Sequence, residues 1–293
     1  KAREVIISHL RSNLVNFELQ IFDCEIPLPK SVFLTADGIN IPCVGSSFVS
    51  GKFDKSSQIL NVIGVNSEKP AIVFHPLSEG VCLQEYKDFP CISVNKNSVQ
   101  ILNNAKKISG EVVVDKLVFK STNIIVGNTE NPKIIIFAHY DSLVGPGAVD
   151  NAGSVDVIFN VILKNKVLLE DILFVFIGSE EASFSSRYGL WGFEMFGKKY
   201  GTILECADEI IILDGVGVGD PSFTTDNIDS VFEISDKLHL NKKAYWMQND
   251  QDIVMRYYHS EIDTIDKLKI NFLNQAYELL LYKINQHNLN QKI

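Results

Sequence analysis

The sequence predicts an α/β fold, with a mostly parallel, mixed central sheet that is flanked by helices and carries a small inserted β-rich domain. After residue 118, short apolar runs rich in Val, Ile and Phe alternate with helix-like segments. The runs are continuous, as in strands that are buried on both faces of a parallel sheet. Between residues 33 and 117 the pattern changes to short β-prone pieces, which Gly, Ser, Asn and Asp separate.

The individual elements follow from local periodicity. A helix opens the chain, because Val5, Ile6, Leu10 and Leu14 share helical spacing, and an alternating strand follows over residues 17–22. The later strands are predicted over 123–126, 133–138, 172–177 and 209–213, and the later helices over 152–165, 190–200 and 267–288. We therefore predict one domain built from residues 1–32 and 118–293. Residues 33–117 form the insert, with β-prone pieces at 58–65 and 71–74.

Composition excludes some classes of partner. The 293 residues are 46% hydrophobic and 22% charged, which is ordinary for a globular protein. The net charge is −9 and Lys and Arg are not clustered, so a nucleic-acid partner is not expected. The longest apolar runs are under about ten residues, too short to cross a bilayer. No membrane partner is expected either.

The cysteines and the start of the chain predict a cytoplasmic location. The five cysteines are odd in number and form no C-x-x-C pair, which argues against a disulfide framework and against a cysteine zinc site. Free thiols in a reducing compartment fit better. The start lacks the pattern of a signal peptide, although the chain opens on Lys1 and not on methionine, which leaves room for a removed leader.

Acidic and imidazole side chains stand at the ends of three predicted strands. His139-Tyr140-Asp141 follows the first, Glu180-Glu181 the second and Asp214 the third. The carboxyl ends of strands line the ligand crevice in open α/β sheets, so these side chains should converge. Any one of them could instead be a helix cap or a surface ion pair, and Asp150, before the helix pattern at 152, is a good N-cap type.

With His259, these residues supply the nitrogen and oxygen ligands that zinc and similar metals prefer. The five motifs together resemble the zinc aminopeptidases with co-catalytic metals, a family that includes secreted bacterial aminopeptidases and, more distantly, glutaminyl cyclases. The family pattern is H-x-D, D-N, E-E and D after successive elements, then H before D-T. Here these read His139–Asp141, Asp150-Asn151, Glu180-Glu181, Asp214 and His259 before Asp263-Thr264, within residues 118–280.

The resemblance implies a phosphorylase/hydrolase-like zinc exopeptidase fold, a peptide substrate and two divalent metal ions per chain, with zinc the expected metal. It implies that His139 and Asp214 bind one ion and Glu181 and His259 the other, with Asp150 bridging them. Asp141 would orient His139, Glu180 would be the general base, and Tyr258 would match a tyrosine that steadies the tetrahedral intermediate in some members. The insert resembles a protease-associated domain, especially over residues 89–94.

One departure from the family pattern keeps alternatives open. Residues 182–188 separate the E-E pair from Gly189-Leu190-Trp191-Gly192, where aminopeptidases are shorter and cyclases longer. Arg187 in this stretch could recognise a substrate carboxylate. The favoured function is an aminopeptidase. The alternatives are a carboxypeptidase or dipeptidase at the same two ions, and a glutaminyl cyclase-like acyltransferase with one zinc at Asp150, Glu181 and His259.

Two further points complete the prediction. Asn151 and the D-T pair lean toward the peptidases, and a non-catalytic scaffold is disfavoured because neither a ligand nor Glu180 has been lost. The sequence does not fix the oligomeric state, and a homo-oligomer is compatible with it.

Overall fold

A computed structural model describes residues 1–62, 67–186 and 189–290 of the chain, with side chains to residue 286. Its helices are α1 (Ala2–Ser12), α2 (Ser98–Asn104), α3 (Gly153–Lys164), α4 (Trp191–Cys206), α5 (Gln251–Val254) and α6 (Ile270–Asn290). Its strands are β1 (Glu18–Ala36), β2 (Ile39–Asn40), β3 (Cys43–Gly45), β4 (Gly51–Asp54), β5 (Gln58–Asn61), β6 (Ala71–Phe74), β7 (Cys91–Val94), β8 (Ile108–Gly127), β9 (Ile134–His139), β10 (Ile172–Ile177), β11 (Glu209–Leu213), β12 (Ser222–Thr224) and β13 (Ala244–Gln248). None of the helices in the described stretches is long and apolar enough to cross a membrane.

The central sheet is mixed, as the sequence predicts. Its order is β12-β13-β11-β9-β10-β8-β1-β2, and β4 adds to β8. The four strands in the middle, β13, β11, β9 and β10, run parallel. The flanking strands β12, β8, β1, β2 and β4 are antiparallel to their neighbours.

Helices cover both faces of this sheet, which explains why its central strands are continuously apolar. In β9, Ile134 and Ile136 point into a core shared with α1, α3 and α6, whereas Ile135 and Phe137 point into a core shared with α4. All six residues of β9 are buried, and so are all six of β10. Because successive side chains of a strand point to opposite faces, a strand covered on both sides has no position that faces solvent.

The two longest strands form a ribbon that crosses the predicted domain boundaries. β1 and β8 pair antiparallel from Glu18 opposite Ile125 to Ala36 opposite Ile108, with one irregularity between Pro29 and Ser31. Both strands are much longer than the predicted strands at 17–22 and 123–126. Pro27, Pro29 and several polar residues interrupt the apolar pattern there, so the sequence signal stops before the strand does.

A second, four-stranded sheet lies within the predicted insert. Its order is β3-β7-β6-β5, with β5, β6 and β7 parallel and β3 antiparallel. Ile72, Ile92 and Leu102 share a core with Leu34 and Val112 of the ribbon. The predicted strand at 58–65 is observed over Gln58–Asn61, and residues 63–66 lie outside the described residues. The division at 32/33 and 117/118 and the protease-associated character of the insert stay predictions.

Candidate active site

Three neighbouring strands deliver the predicted ligands to one edge of the sheet. β9 ends at His139, which stands in register with Ile177 at the end of β10, three residues before Glu180. Asp214 directly follows β11, the neighbour of β9 on its other side. Because these strands are parallel, their carboxyl ends meet at the same edge. The structure therefore brings His139, Asp150, Glu180, Glu181, Asp214 and His259 into one cluster, in which Glu181 and Asp214 are half-buried and the other four are buried.

Asp150 lies at the centre of the cluster. Its Oδ1 is 3.0 Å from His139 Nε2, and its Oδ2 is 3.0 Å from His259 Nε2. Asp214 Oδ1 lies 3.7 Å from His139 Nε2, and Glu181 Oε2 lies 2.6 Å from His259 Nε2. Two groups of possible ligands, one around each imidazole, thus share one carboxylate.

Asp150 does not cap the following helix. It lies with non-helical backbone angles in the turn Ala148–Ala152, and α3 begins only at Gly153. The peptide bond between Asp150 and Asn151 is cis. The side-chain amide of Asn151 donates to the carbonyl oxygen of Leu213, at 2.9 Å, which ties this turn to the end of β11.

Backbone carbonyls fix the orientation of both imidazoles. Nδ1 of His139 lies 3.2 Å from the carbonyl oxygen of Asp141, and Nδ1 of His259 lies 3.0 Å and 3.1 Å from those of Leu83 and Gln84. Because a carbonyl only accepts hydrogen bonds, each Nδ1 must carry a proton. Each Nε2 is therefore turned toward the carboxylates, with either a second proton or a cation between them.

The donor set fits divalent metal ions. Glu181 Oε1 is buried and makes no hydrogen bond. A buried carboxylate oxygen without a partner is costly unless a cation satisfies it. Two imidazole nitrogens and carboxylate oxygens from three residues match the ligands that zinc prefers.

The pKa values show how strongly the cluster needs positive charge. Burial, reinforced by the charge of Asp150, raises the pKa of Glu181 to about 7. Burial also raises the pKa of Glu180, together with the charges of Glu181 and Asp214. Burial alone would lower the pKa of His139, but the surrounding carboxylates outweigh it and raise it well above its usual value. Without metal the cluster takes up protons, and cations bound there would replace them.

Three groups of residues in the described part of the chain could hold an ion. Two of them, His139 with Asp150 and Asp214, and Asp150 with Glu181 and His259, are the predicted pairs with their bridge. The third combines His139 with Glu180 and Glu181. This third group is a less favourable metal site, because Glu180 lies 3.9 Å from Nδ1 of His139, the nitrogen that donates to Asp141. None of the three contains a residue from 33–117.

Two carboxylates accept hydrogen bonds from backbone N–H groups beside the predicted ligands. Asp141 accepts from the backbone N–H groups of Glu180 and Glu181, each at 3.1 Å. Its side chain was expected to orient His139, but its carboxylate is 3.9 Å from Nδ1, and its backbone carbonyl makes the closer contact. Asp263 accepts from the N–H groups of Val149 and Asp150, at 2.7 Å and 3.1 Å, and burial raises its pKa to about 6.

The cluster opens into a cavity of about 560 Å³. Tyr258 lines it, with its ring lying flat against the His259 ring at 3.5 Å between centroids. The inserted region lines the cavity too, through Phe48, Gln84, Glu85 and Tyr86. These four residues, and the carbonyls that hold His259, could not be predicted from the sequence, because they belong to no motif and backbone oxygens carry no residue-type signal.

The stretch after Glu181 packs toward the insert. The Phe184 N–H donates to the carbonyl oxygen of Glu25 at 2.8 Å. The Phe184 ring lies 5.0 Å from Phe48, which in turn lies 5.6 Å from Tyr86. Arg187, the residue that could recognise a substrate carboxylate, lies outside the described residues, as does Tyr188.

A comparison with protein families identifies the part of the chain that carries most of this site. Residues 122–252 match the model of Peptidase family M28. The matched stretch, which we call the M28 region, covers less than half of the 293 residues. It contains four of the five predicted metal ligands and Glu180, and His259 lies beyond it. The match and the ligand cluster together support a metal-dependent peptidase.

Solved structures share the fold of the whole chain. An aminopeptidase from Aneurinibacillus sp. strain AM-1 is 19% identical, with a TM-score of 0.59 over 94% of this chain and 85% of that chain. A zinc aminopeptidase from Bacillus subtilis is 17% identical, with a TM-score of 0.63 over 94% and 86%. A peptidase M28 precursor from Shewanella amazonensis SB2B is 14% identical, with a TM-score of 0.65 over 94% and 85%. A search of curated protein sequences found no match.

Proposed function

We propose that the protein is an aminopeptidase that uses two divalent ions, with zinc the expected metal, to hydrolyse the bond after a free N-terminal residue. The observation that carries this proposal is the position of Asp150, whose two oxygens each lie 3.0 Å from a different imidazole Nε2. A carboxylate held this way can bridge two ions. The similar aminopeptidase structures and the M28 region are consistent with it.

The chain's own residues then take distinct roles. His139 and Asp214 would hold one ion, and Glu181 and His259 the other. Bound ions of this kind act as Lewis acids and lower the pKa of a coordinated water toward about 7. Glu180 would take the proton of the attacking water and pass it to the leaving amine, a role for which its raised pKa is suited. Tyr258, in the cavity wall, would donate to the developing oxyanion.

The charge of the cavity favours an amine over a carboxylate at the substrate terminus. Besides the ligands, Glu85, Glu180 and Asp226 line it, and no Lys or Arg occurs among its described lining residues. A free α-amino group would therefore find carboxylates, whereas a C-terminal carboxylate would find no fixed cation among the described lining residues except the metal ions. This contrast supports the aminopeptidase over a carboxypeptidase or dipeptidase.

A glutaminyl cyclase-like acyltransferase would need only the group of Asp150, Glu181 and His259. Asp214 Oδ1 lies 3.7 Å from His139 Nε2, so these two residues and Asp150 could form a second metal site that the cyclase would not need. The number of bound ions therefore separates the two functions.

The test combines metal analysis with matched peptides. Protein loaded with zinc and freed of excess metal should contain two ions per chain, and it should cleave peptides with a free N-terminus but not their N-acetylated counterparts. Amidation of the C-terminus should make little difference. One ion per chain would favour the cyclase, and release of C-terminal residues from acetylated peptides would refute the aminopeptidase while keeping the metallopeptidase.

A further inference from the structure

The two imidazoles of the site are held by different parts of the chain. His139 donates through Nδ1 to the carbonyl of Asp141, two residues away. His259 donates to the carbonyls of Leu83 and Gln84, more than 170 residues away in the chain, at 3.0 Å and 3.1 Å. The orientation of His259 therefore depends on the placement of residues 79–84, which we call the clasp segment.

Three hydrogen bonds fasten the clasp segment to the loop that carries His259. The Leu83 N–H donates to the carbonyl of His259 at 3.0 Å, and the Glu79 N–H donates to the carbonyl of Arg256 at 3.0 Å. The third is different, because the Val81 N–H donates to a side chain, Glu261 Oε2, at 2.9 Å. Glu261 is thus the one side chain in this set of three acceptors, and it can be changed without altering the backbone pairing.

The clasp segment also approaches this loop closely at a glycine. A Cβ atom at Gly80 would lie 3.0 Å from Glu261 Oε2, from Ile262 Cγ1 and from Ser260 Cβ. Such contacts are tighter than most that a side chain accepts, so the segment fits against the loop only while position 80 has no side chain. The close approach is an independent sign that the distance between the two segments is set narrowly.

We propose that Glu261 is a positioning residue for the metal site formed by Asp150, Glu181 and His259, and that it acts by holding the clasp segment against His259. The proposal rests on the proposed function, since it assumes that these three residues bind an ion. A charged acceptor makes a stronger hydrogen bond to a backbone N–H than a neutral one. When Glu261 is lost, the clasp segment moves more freely, the two carbonyls hold Nδ1 less firmly, and Nε2 is less often presented to the ion. Groups that bond directly to a metal-binding histidine affect metal affinity by about 10- to 100-fold, and Glu261, which acts through the clasp segment, should have an effect at the lower end of that range.

The experiment measures zinc affinity by competition with a chromophoric chelator. Glu261→Ala should lower the affinity for one of the two zinc ions by about 10-fold and leave the affinity for the other unchanged. Glu261→Gln keeps an oxygen that can accept from Val81, and it should stay within about 3-fold of the unaltered protein. Gly80→Ala changes no charge but presses the segments apart, so it should weaken the same ion. Glu278→Ala, on the exposed face of α6, is the matched control.

A double-mutant comparison assigns the effect to one imidazole. In a His139→Ala background, Glu261→Ala should still weaken the remaining ion, whereas in a His259→Ala background it should change nothing further. Any of three results would overturn the proposal: Glu261→Ala leaves the zinc affinity unaltered, lowers the affinity for both ions equally, or still lowers it when His259 has been replaced. A protein that binds fewer than two ions before any substitution would instead contradict the proposed function.

Discussion

Replacing Asp263 should destabilise the protein strongly, although Asp263 is not a predicted metal ligand. Its carboxylate accepts from the N–H groups of Val149 and Asp150, at 2.7 Å and 3.1 Å, and all three residues are buried. Asp263→Ala leaves both donors without a partner in a place that water cannot reach. Each buried donor left unpaired costs about 1–3 kcal/mol, so the free energy of unfolding should fall by about 2–6 kcal/mol. Asp263→Asn keeps one acceptor and should lose about half as much.

Denaturant unfolding of the metal-free variants measures this effect. Asp266→Ala is the matched control in the same loop, because the Asp266 carboxylate is largely exposed and pairs with Lys267. Exposed pairs contribute little to stability, so the control should lose far less stability than Asp263→Ala. If Asp263→Ala lost no more stability than Asp266→Ala, the two hydrogen bonds would not be holding the turn at Asp150 and the reasoning would be wrong.

Three further outcomes follow from the site. Glu180→Gln should keep both ions and lower kcat by about 10²-fold or more, measured by metal analysis and peptide cleavage; loss of metal in this variant would instead make Glu180 a ligand. Glu181→Gln should lose one ion, and full occupancy there would reverse the roles of the pair. Because the pKa of Glu181 is raised from 4.5 to about 7 in the metal-free protein, the stability contributed by its protonated form is complete below pH 4.5 and lost as the pH rises to about 7. Thermal unfolding of the metal-free form should therefore show stability falling across that range and a smaller fall with zinc bound, and parallel curves for the two forms would contradict the protonation of the cluster.

The fold class was readable because the sheet is covered on both faces. The apolar side chains of β9 on both faces of the sheet can be buried only if helices cover both faces. The helices predicted over 152–165, 190–200 and 267–288 provide these two layers, as α3, α4 and α6. The same logic places His139, Glu180 and Asp214 at one edge, since neighbouring parallel strands end together. These features depend on local periodicity and on a topological rule, both of which a single sequence carries.

The supports of the site were not readable, because they depend on backbone atoms and on long-range packing. The carbonyls of Leu83 and Gln84 hold His259, yet neither residue type indicates it. Asp141 contacts His139 through its backbone carbonyl, whereas its carboxylate accepts from two backbone N–H groups. The long ribbon of β1 and β8 was missed for a related reason, since cross-strand pairing continues through prolines and polar residues that break a local pattern.

The pairs of backbone hydrogen bonds that Asp141 and Asp263 accept have a consequence for which metal the site binds. Each carboxylate fixes two successive backbone amides beside a ligand, using contacts within the protein alone. The backbone positions from which Asp150, Glu180 and Glu181 extend are therefore set before any ion arrives. A stiff frame of two imidazoles and three carboxylates disfavours calcium, which needs 6–8 oxygen ligands, and magnesium, which demands octahedral oxygen coordination. The rigidity of the frame, as much as the identity of its ligands, would discriminate among the ions that the cell supplies.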